Sequence, residues 1–189
     1  MEGKNIKYYL AKYRAYLVTA LVVLMLLAVI LPISLINKGD NASHVNTRPL
    51  NFVLPISNAT VIKGFKADEL QYNKTLNCWE IHKGLDLLAS KGDEVLACYE
   101  GVIEDIYTNN LDGTTVVISH ENGFKSSYMG LDSSTSVKVG DTVTTGQKLG
   151  VVGTTSASEA EDGAHVHFEL LKNGDKVDPA SYINIDLKG

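Results

Sequence analysis

Two histidines separated by a single residue form the most chemically suggestive pattern in the sequence. His165 and His167 lie in a run that alternates with apolar residues, which is typical of a β-strand. Because strand side chains alternate between faces, we expect both imidazoles on one face and their apolar neighbours in the core. Two imidazoles side by side can bind a metal or divide metal binding and proton transfer between them. Two solvated strand histidines are the alternative interpretation.

A histidine and a carboxylate upstream provide a matching pattern. His82 and Asp86 are four residues apart, and both residue types are good zinc ligands. Gly84 and the short apolar run after it favour a turn into a buried strand over a helix. Alone, the pair is better explained as an exposed histidine and a salt-bridged aspartate. With the downstream histidine pair, it predicts three ligands and an open position, as in a catalytic zinc site.

These motifs resemble those of the LytM or lysostaphin type of zinc metallopeptidase domain. Both motifs of that family, His-x-x-x-Asp and His-x-His, are present, and the similarity extends over about residues 51–185. It includes the glycine-containing segments 101–103, 137–143 and 146–150. The resemblance implies an antiparallel β-sheet domain with an open groove, Zn²⁺ as cofactor, and cleavage of peptide cross-links in bacterial cell walls.

The resemblance also assigns roles to individual residues. His82, Asp86 and His167 correspond to the metal ligands of the family. His165 corresponds to a catalytic histidine that handles the water and the developing oxyanion. These four residues are therefore the predicted site.

One expected catalytic histidine is missing. Gly130 stands where the family has a histidine, two residues after a tyrosine and just before a leucine. Loss of one oxyanion donor commonly costs about 10²–10³ in rate, so we expect an impaired or silent peptidase with an intact metal site. His120 either replaces the missing group or, as is more usual in the family, caps a β-hairpin without a catalytic role.

The N-terminal region predicts a membrane anchor. Residues 15–36 are almost wholly apolar and uncharged, and about 22 residues can cross a bilayer. A cleaved signal peptide is the alternative, but its apolar region is usually about 7–15 residues and ends in a cleavage site. The basic segment 1–14 predicts a cytoplasmic N-terminus. A linker over residues 37–50 and an extracytoplasmic domain over residues 51–189 would follow.

The remainder of the sequence predicts an all-β domain. Short apolar runs alternate with Gly, Asn and Asp clusters, and helical periodicity is absent from residue 51 onward. We predict strands at residues 85–89, 95–97, 102–107, 114–120 and 124–129. Residues 121–123 form a predicted hairpin turn. Residues 153–163 are rich in small and acidic residues and should form a mobile loop at the edge of the groove.

Charge and cysteine usage constrain the partners and the redox state. The chain carries −5 and its first 14 residues +3, which leaves −8 for the rest. Such an acidic domain is a poor match for nucleic acid. Cys78 and Cys98 both lie outside the membrane in this topology, where a disulfide can form. Two buried thiols are the equal alternative.

The combination of features resembles a sporulation-specific branch of the family. An uncleaved anchor, a short linker, one LytM-type domain and an incomplete catalytic set together carry this resemblance. It implies a forespore membrane location, a channel-like intercellular complex, and a membrane-protein partner resembling stage III sporulation protein AH. Two other functions stay open, namely an active zinc endopeptidase acting on peptidoglycan and a non-enzymatic activator of a cell-wall hydrolase.

Overall fold

The computed structural model describes residues 8, 11–14, 16, 18–25, 50–57, 59–154 and 156–183. The chain divides into two units, Met1–Val45 and Asn46–Gly189. In the first unit, residues 18–25 are helical. Among the described residues, no helix is both long and apolar enough to cross a bilayer. Of the predicted transmembrane segment and linker, residues 15, 17 and 26–49 lie outside the described residues.

The second unit is built from short antiparallel strands, as the alternation of apolar and polar residues predicts. In chain order the strands are β1 (Thr60–Lys63), β2 (Leu70–Asn73), β3 (Cys78–Ile81), β4 (Leu85–Leu88), β5 (Glu94–Leu96), β6 (Gly101–Asn109), β7 (Gly113–Ser119), β8 (Phe124–Leu131), β9 (Thr142–Val143), β10 (Lys148–Val151), β11 (His165–Lys172) and β12 (Asp175–Val177). Short 3₁₀ turns occur at Glu121–Gly123, Ala160–Asp162 and Pro179–Ser181. The all-β fold class is therefore confirmed for this unit.

One large sheet positions the candidate site. Its strand order is β1-β4-β11-β8-β7-β6-β9, with β12 also paired to β11. The pairs β2–β3 and β5–β10 form separate two-stranded sheets. Strand β11 lies between β4 and β8, and its register places His167 opposite Asp86 on one side and Met129 on the other. This register joins the two predicted motifs, which are about 80 residues apart in the sequence.

The core explains why the histidine-bearing strand adopts this orientation. Val166, Phe168 and Leu170 are fully buried on one face of β11, while the two histidines lie on the opposite face. Burial of each such side chain contributes about 1.5–3 kcal/mol relative to exposure. A slip of one residue would expose this apolar set, so the hydrophobic pattern fixes the register that brings the histidines to the site.

An aromatic cluster marks the point at which the chain enters the unit. Phe52 packs against Tyr99, Phe124 and Tyr182, with ring centroids 5.3–6.3 Å from its own. Phe52 also forms a parallel bridge with Ile183. The first and last described segments of the unit are therefore held side by side.

The two cysteines do not form a disulfide. Cys98 is fully buried, whereas Cys78 is exposed on β3, and both are free thiols. The prediction left a disulfide and two buried thiols as alternatives. The structure has two thiols, of which only one is buried.

Candidate metal centre

The three predicted metal ligands converge at the junction of β4 and β11. His82 directly precedes the turn into β4, Asp86 lies within β4, and His167 lies in β11. His82 Nε2 is 3.1 Å from Asp86 Oδ1 and 3.2 Å from His167 Nδ1. His167 Nδ1 is 2.7 Å from the same Asp86 oxygen. The structure therefore brings together the donor atoms that a zinc ion prefers.

Gly84, between the two residues of the first motif, allows this close approach. A β carbon at Gly84 would lie 2.6 Å from His167 Nε2 and 2.9 Å from Phe168 O. Real β carbons essentially never approach other atoms so closely. The imidazole of His167 thus packs directly over a backbone position that has no side chain.

His82 is held in one tautomer by the backbone. Its Nδ1 lies 2.9 Å from Gly64 O, and a carbonyl oxygen can only accept a hydrogen bond. Nδ1–H is therefore a donor, and Nε2 faces Asp86 and His167. Nε2 donates to Asp86 when the ring is protonated and offers a lone pair to a metal when the ring is neutral. Such an outer hydrogen bond is the usual way in which a protein orients a metal-binding imidazole.

Glu169 performs the same role for His167. Glu169 Oε1 lies 3.2 Å from His167 Nε2, so the carboxylate accepts from Nε2–H and leaves Nδ1 directed at Asp86. Lys176 donates to the same glutamate oxygen. Burial alone lowers the pKa of His167, but the hydrogen bonds to Asp86 and Glu169 outweigh it and raise the pKa to about 10. The ring therefore lies in a strongly anionic environment.

Asp86 supplies the clearest sign that this cluster suits a cation. Its side chain is fully buried, and among the described residues Oδ2 has no hydrogen-bond partner. Burial raises the pKa of Asp86, yet the hydrogen bonds from His167 and His82 hold it well below its usual value. A buried carboxylate oxygen without a partner is costly unless a cation or another donor satisfies it. The donor set and the unpaired oxygen thus fit a zinc ion.

Glu159, which the sequence analysis did not select, belongs to the same cluster. It lies in the loop between β10 and β11 (residues 152–164, the β10–β11 loop) and is only 7% exposed. Its Oε1 lies 3.8 Å from His82 Nε2, and its Oε2 lies 3.6 Å from His167 Nδ1. One ligand atom from each of the four side chains falls within 4.8 Å of all the others. The acidic run before the histidine pair was the available sequence signal.

His165, the candidate catalytic histidine, lies beside the cluster and pairs with Glu159. Its Nδ1 donates to Gly163 O at 2.9 Å, and its Nε2 lies 3.3 Å from Glu159 Oε2. Burial lowers the pKa of His165, but the hydrogen bonds to Glu159 and Gly163 raise it above the usual value. The same contact overcomes the effect of burial on Glu159 and lowers the pKa of its carboxyl group.

Gly130 has a backbone that suits no other residue well. Its φ is +84°, in the left-handed region, and a β carbon there would lie 3.1 Å from His165 O. A cavity of about 180 Å³ lies beside it, with Glu159 and His165 among its lining residues. The position thus lacks both the imidazole of the family pattern and the backbone conformation that an imidazole-bearing residue favours.

His120 belongs to a different part of the unit. It precedes the 3₁₀ turn Glu121–Gly123, and its ring bonds Glu100 O and Ser126 Oγ, each at 2.7 Å. It also packs edge-on against Phe52. These contacts tie the ring to β8 and to the segment before β6, and they give no support to a catalytic replacement for Gly130.

An open groove runs past the cluster. Its volume is about 550 Å³, and its lining includes His82, His167 and Glu159. Tyr107 and Leu111 contribute apolar and aromatic wall surface. The groove expected from the resemblance is therefore present.

A comparison with protein families identifies this arrangement. The model of peptidase family M23 matches residues 80–179, more than half of the chain, and this stretch contains His82, Asp86, His165 and His167. The chain belongs to peptidase family M23. The predicted LytM-type resemblance is confirmed, and the antiparallel sheet is that of a LytM-type fold.

The similarity to one curated relative extends beyond the family region. The chain is 29% identical over 163 residues to stage II sporulation protein Q of Bacillus subtilis, covering 78% of this chain and 56% of the relative. The chain thus spans little more than half the length of that relative.

The chain is similar to solved structures as well. One is the SpoIIQ–SpoIIIAH pore-forming complex, with a TM-score of 0.62, 27% identity, and coverage of 71% of this chain and 92% of that one. Another is a zinc-containing peptidase from Vibrio cholerae, with a TM-score of 0.60 and 27% identity. That match covers 69% of this chain and 39% of the Vibrio chain.

Proposed function

We propose that this chain is a membrane-anchored M23 protein that binds zinc with little or no peptidase activity and serves in sporulation. In this role it is the forespore-side component of an intercellular channel or adhesion complex, with a cytoplasmic N-terminus and an extracytoplasmic M23 domain. The observation that carries the proposal is the extent of similarity to stage II sporulation protein Q. That similarity covers 163 residues, well beyond the family region 80–179.

The proposed partner is a membrane protein like stage III sporulation protein AH. Support comes from the SpoIIQ–SpoIIIAH complex, in which a similar domain is assembled with that protein. The acidic character of the chain outside its first 14 residues argues against nucleic acid as a partner.

The proposed zinc ligands are His82, Asp86 and His167. The oriented imidazole nitrogens and the unpaired buried oxygen of Asp86 support this assignment. When bound, zinc supplies a Lewis acid that polarises a peptide carbonyl and lowers the pKa of a water. Gly64 O and Glu169 hold the two imidazoles in the orientation that such binding needs.

The protein side chains around this centre favour weak catalysis. His165 is the candidate group for proton transfer and oxyanion contact, but its Nε2 faces Glu159. Gly130 offers no side chain to the developing oxyanion. The absence of one such donor commonly lowers the rate about 10²–10³-fold. The metal would then serve mainly to stabilise the domain, because its binding free energy adds to that of folding.

An active endopeptidase that cleaves peptidoglycan cross-links is the second candidate function. The open groove beside the predicted ligands favours it, since an extended peptide requires such a cleft. In an active endopeptidase, we expect the scissile peptide bond to lie next to His165.

A binding experiment tests the proposed partner. The full chain in mild detergent is titrated by calorimetry with the soluble domain of a stage III sporulation protein AH homologue from the same organism. We expect saturable binding. The lysostaphin catalytic domain, which is structurally similar with a TM-score of 0.55, is the matched control and should not bind. Equal heats for the two M23 proteins would refute the proposed complex.

A hydrolysis experiment separates the two candidate functions. Zinc-loaded wild type is incubated with cross-linked peptidoglycan, and released peptides are measured by mass spectrometry, with His165→Ala as the control for contaminating enzymes. We expect no release above that control. Release that requires both zinc and His165 would establish the endopeptidase instead.

A further inference from the structure

We propose that Glu159 is a fourth zinc ligand, through which the β10–β11 loop closes the metal site against water. The inference rests on the zinc site proposed above and adds a residue outside the two family motifs. It changes the expected character of that site from an open catalytic centre to a closed structural one.

The distances around the cluster support a four-ligand arrangement. In a tetrahedral zinc site with bonds of about 2.0–2.1 Å, neighbouring ligand atoms lie about 3.3–3.4 Å apart. The three predicted ligand atoms are 2.7–3.2 Å from one another. Glu159 Oε1 lies 3.8 Å from His82 Nε2, and the other carboxylate oxygen, Oε2, lies 3.6 Å from His167 Nδ1. Small side-chain adjustments would therefore place a Glu159 oxygen at the fourth vertex.

Charge balance favours the same arrangement. Glu159 and Asp86 are both buried carboxylates, and two like charges at this separation repel each other. A dication bound between them, with two neutral imidazoles, would offset this repulsion. Lys63 Nζ lies 3.4 Å from Glu159 Oε1, so it offsets part of one of these charges.

Hydrogen bonds hold the loop on both sides of Glu159. Ser158 donates from its backbone N and from its Oγ to Leu111 O, at 3.2 and 2.8 Å. Ser158 O accepts from Asn73 Nδ2 at 3.0 Å. On the other side, Glu161 N donates to Thr75 Oγ1 at 3.0 Å. The glutamate is thus positioned by the surrounding fold and requires little further ordering to bind a metal.

A different role for Glu159 would be that of a general base acting on a metal-bound water. A general base requires an open coordination position for the water. If Glu159 had this role, removal of its carboxylate would leave the zinc affinity nearly unchanged. The position of a Glu159 oxygen within 4.8 Å of all three predicted ligand atoms favours direct ligation. The two roles therefore differ in measurable properties that do not depend on peptidase activity.

The test compares the wild type with Glu159→Gln and Glu161→Gln. Both variants remove one negative charge from the same loop, but Glu161 is exposed and lies outside the four-residue cluster. The full chain in mild detergent is loaded with Zn²⁺ for affinity measurements against a chromophoric chelator. It is loaded with Co²⁺ for visible absorption and for water-proton relaxation, which reports access of water to the metal.

We expect Glu159→Gln to bind zinc about 10–100-fold more weakly and to admit water to Co²⁺, while the wild type and Glu161→Gln exclude it. Unchanged affinity and water access in Glu159→Gln would overturn the proposed ligation while leaving the three-ligand zinc site standing. Access of water to Co²⁺ in the wild type would also overturn the proposed ligation. That result does not depend on whether the variant folds. Failure of the wild type to bind zinc at all would instead refute the zinc site of the proposed function.

Discussion

Glu169 Oε1 lies 3.2 Å from His167 Nε2, at the ring nitrogen that does not face Asp86. This contact fixes which nitrogen of His167 is available to a metal. It also explains why a charged glutamate is tolerated in a strand whose alternate residues are fully buried, since Lys176 balances its charge.

Removal of Glu169 should therefore weaken zinc binding without removing a ligand. We expect Glu169→Ala to lower zinc affinity about 10–100-fold, and Glu169→Gln to have a smaller effect because its amide oxygen still accepts the hydrogen bond. Affinity is measured by chelator competition. Glu104→Ala is the matched control, since Glu104 pairs with Lys125 at the surface. Equal losses in Glu104→Ala and Glu169→Ala would contradict the orienting role.

Restoring the histidine of the family pattern should not restore a peptidase. Gly130→His places a side chain on a left-handed backbone, which costs about 1–2 kcal/mol, and β-carbon contact with His165 O adds to this. We expect a lower free energy of unfolding in urea and no release of peptides from peptidoglycan.

Gly140→His is the control for backbone strain alone. Gly140 has a φ of +90°, and nothing lies within 4 Å of its β-carbon position. A variant at Gly130 that is as stable as the wild type and hydrolyses peptidoglycan would show that the missing imidazole is the principal defect.

The two cysteines should differ sharply in reactivity. Burial raises the pKa of Cys98 to about 11, so its reactive thiolate is scarce at neutral pH, whereas Cys78 is exposed. We expect a thiol reagent to modify one cysteine in the native protein and two in urea, counted by mass spectrometry. Cys78→Ser should show no native labelling. An absence of labelling in urea without reductant would indicate a disulfide and contradict the structure.

His120 should make the folded state sensitive to acid. Burial lowers the pKa of His120 below 6.5, and the hydrogen bond to Glu100 O only partly offsets this effect. As the pH falls through about 6.5, the unfolded chain binds a proton that the folded state resists, so stability decreases.

The matched variant is His120→Gln, which does not titrate. Between about pH 7.5 and about pH 5.5, the wild type should lose more unfolding free energy in urea than this variant does. The metal ligands are common to both proteins, so the difference isolates His120. Parallel pH dependences would contradict a neutral buried imidazole.

Periodicity was sufficient to predict the strands that carry the motifs. The alternation around His165 and His167 predicted a strand with its apolar residues in the core, and β11 is that strand. The apolar run after Gly84 predicted a buried strand, which is β4. These features depend on the local pattern of side chains, which the sequence displays directly.

Features that depend on long-range contacts could not be predicted in this way. Glu159 reaches the cluster because its loop is bonded to Leu111 and Asn73, and neither contact has a local signature. The left-handed backbone of Gly130 is accompanied by bonds to Asp112 and Gly153, which are likewise distant in sequence. The missing imidazole at Gly130 was visible in the sequence, but the left-handed backbone at this residue was not.

The pairing of Phe52 with Ile183 has a mechanical consequence for the domain. Tension applied through the preceding chain acts first on Phe52. This residue is held by its aromatic contacts and by the bridge to Ile183. The predicted metal ligands lie on β4 and β11 and in the segment before β4, later in the chain than Phe52. A pull on the chain before Phe52 therefore acts on the aromatic attachment before it reaches the strands that carry the predicted metal ligands.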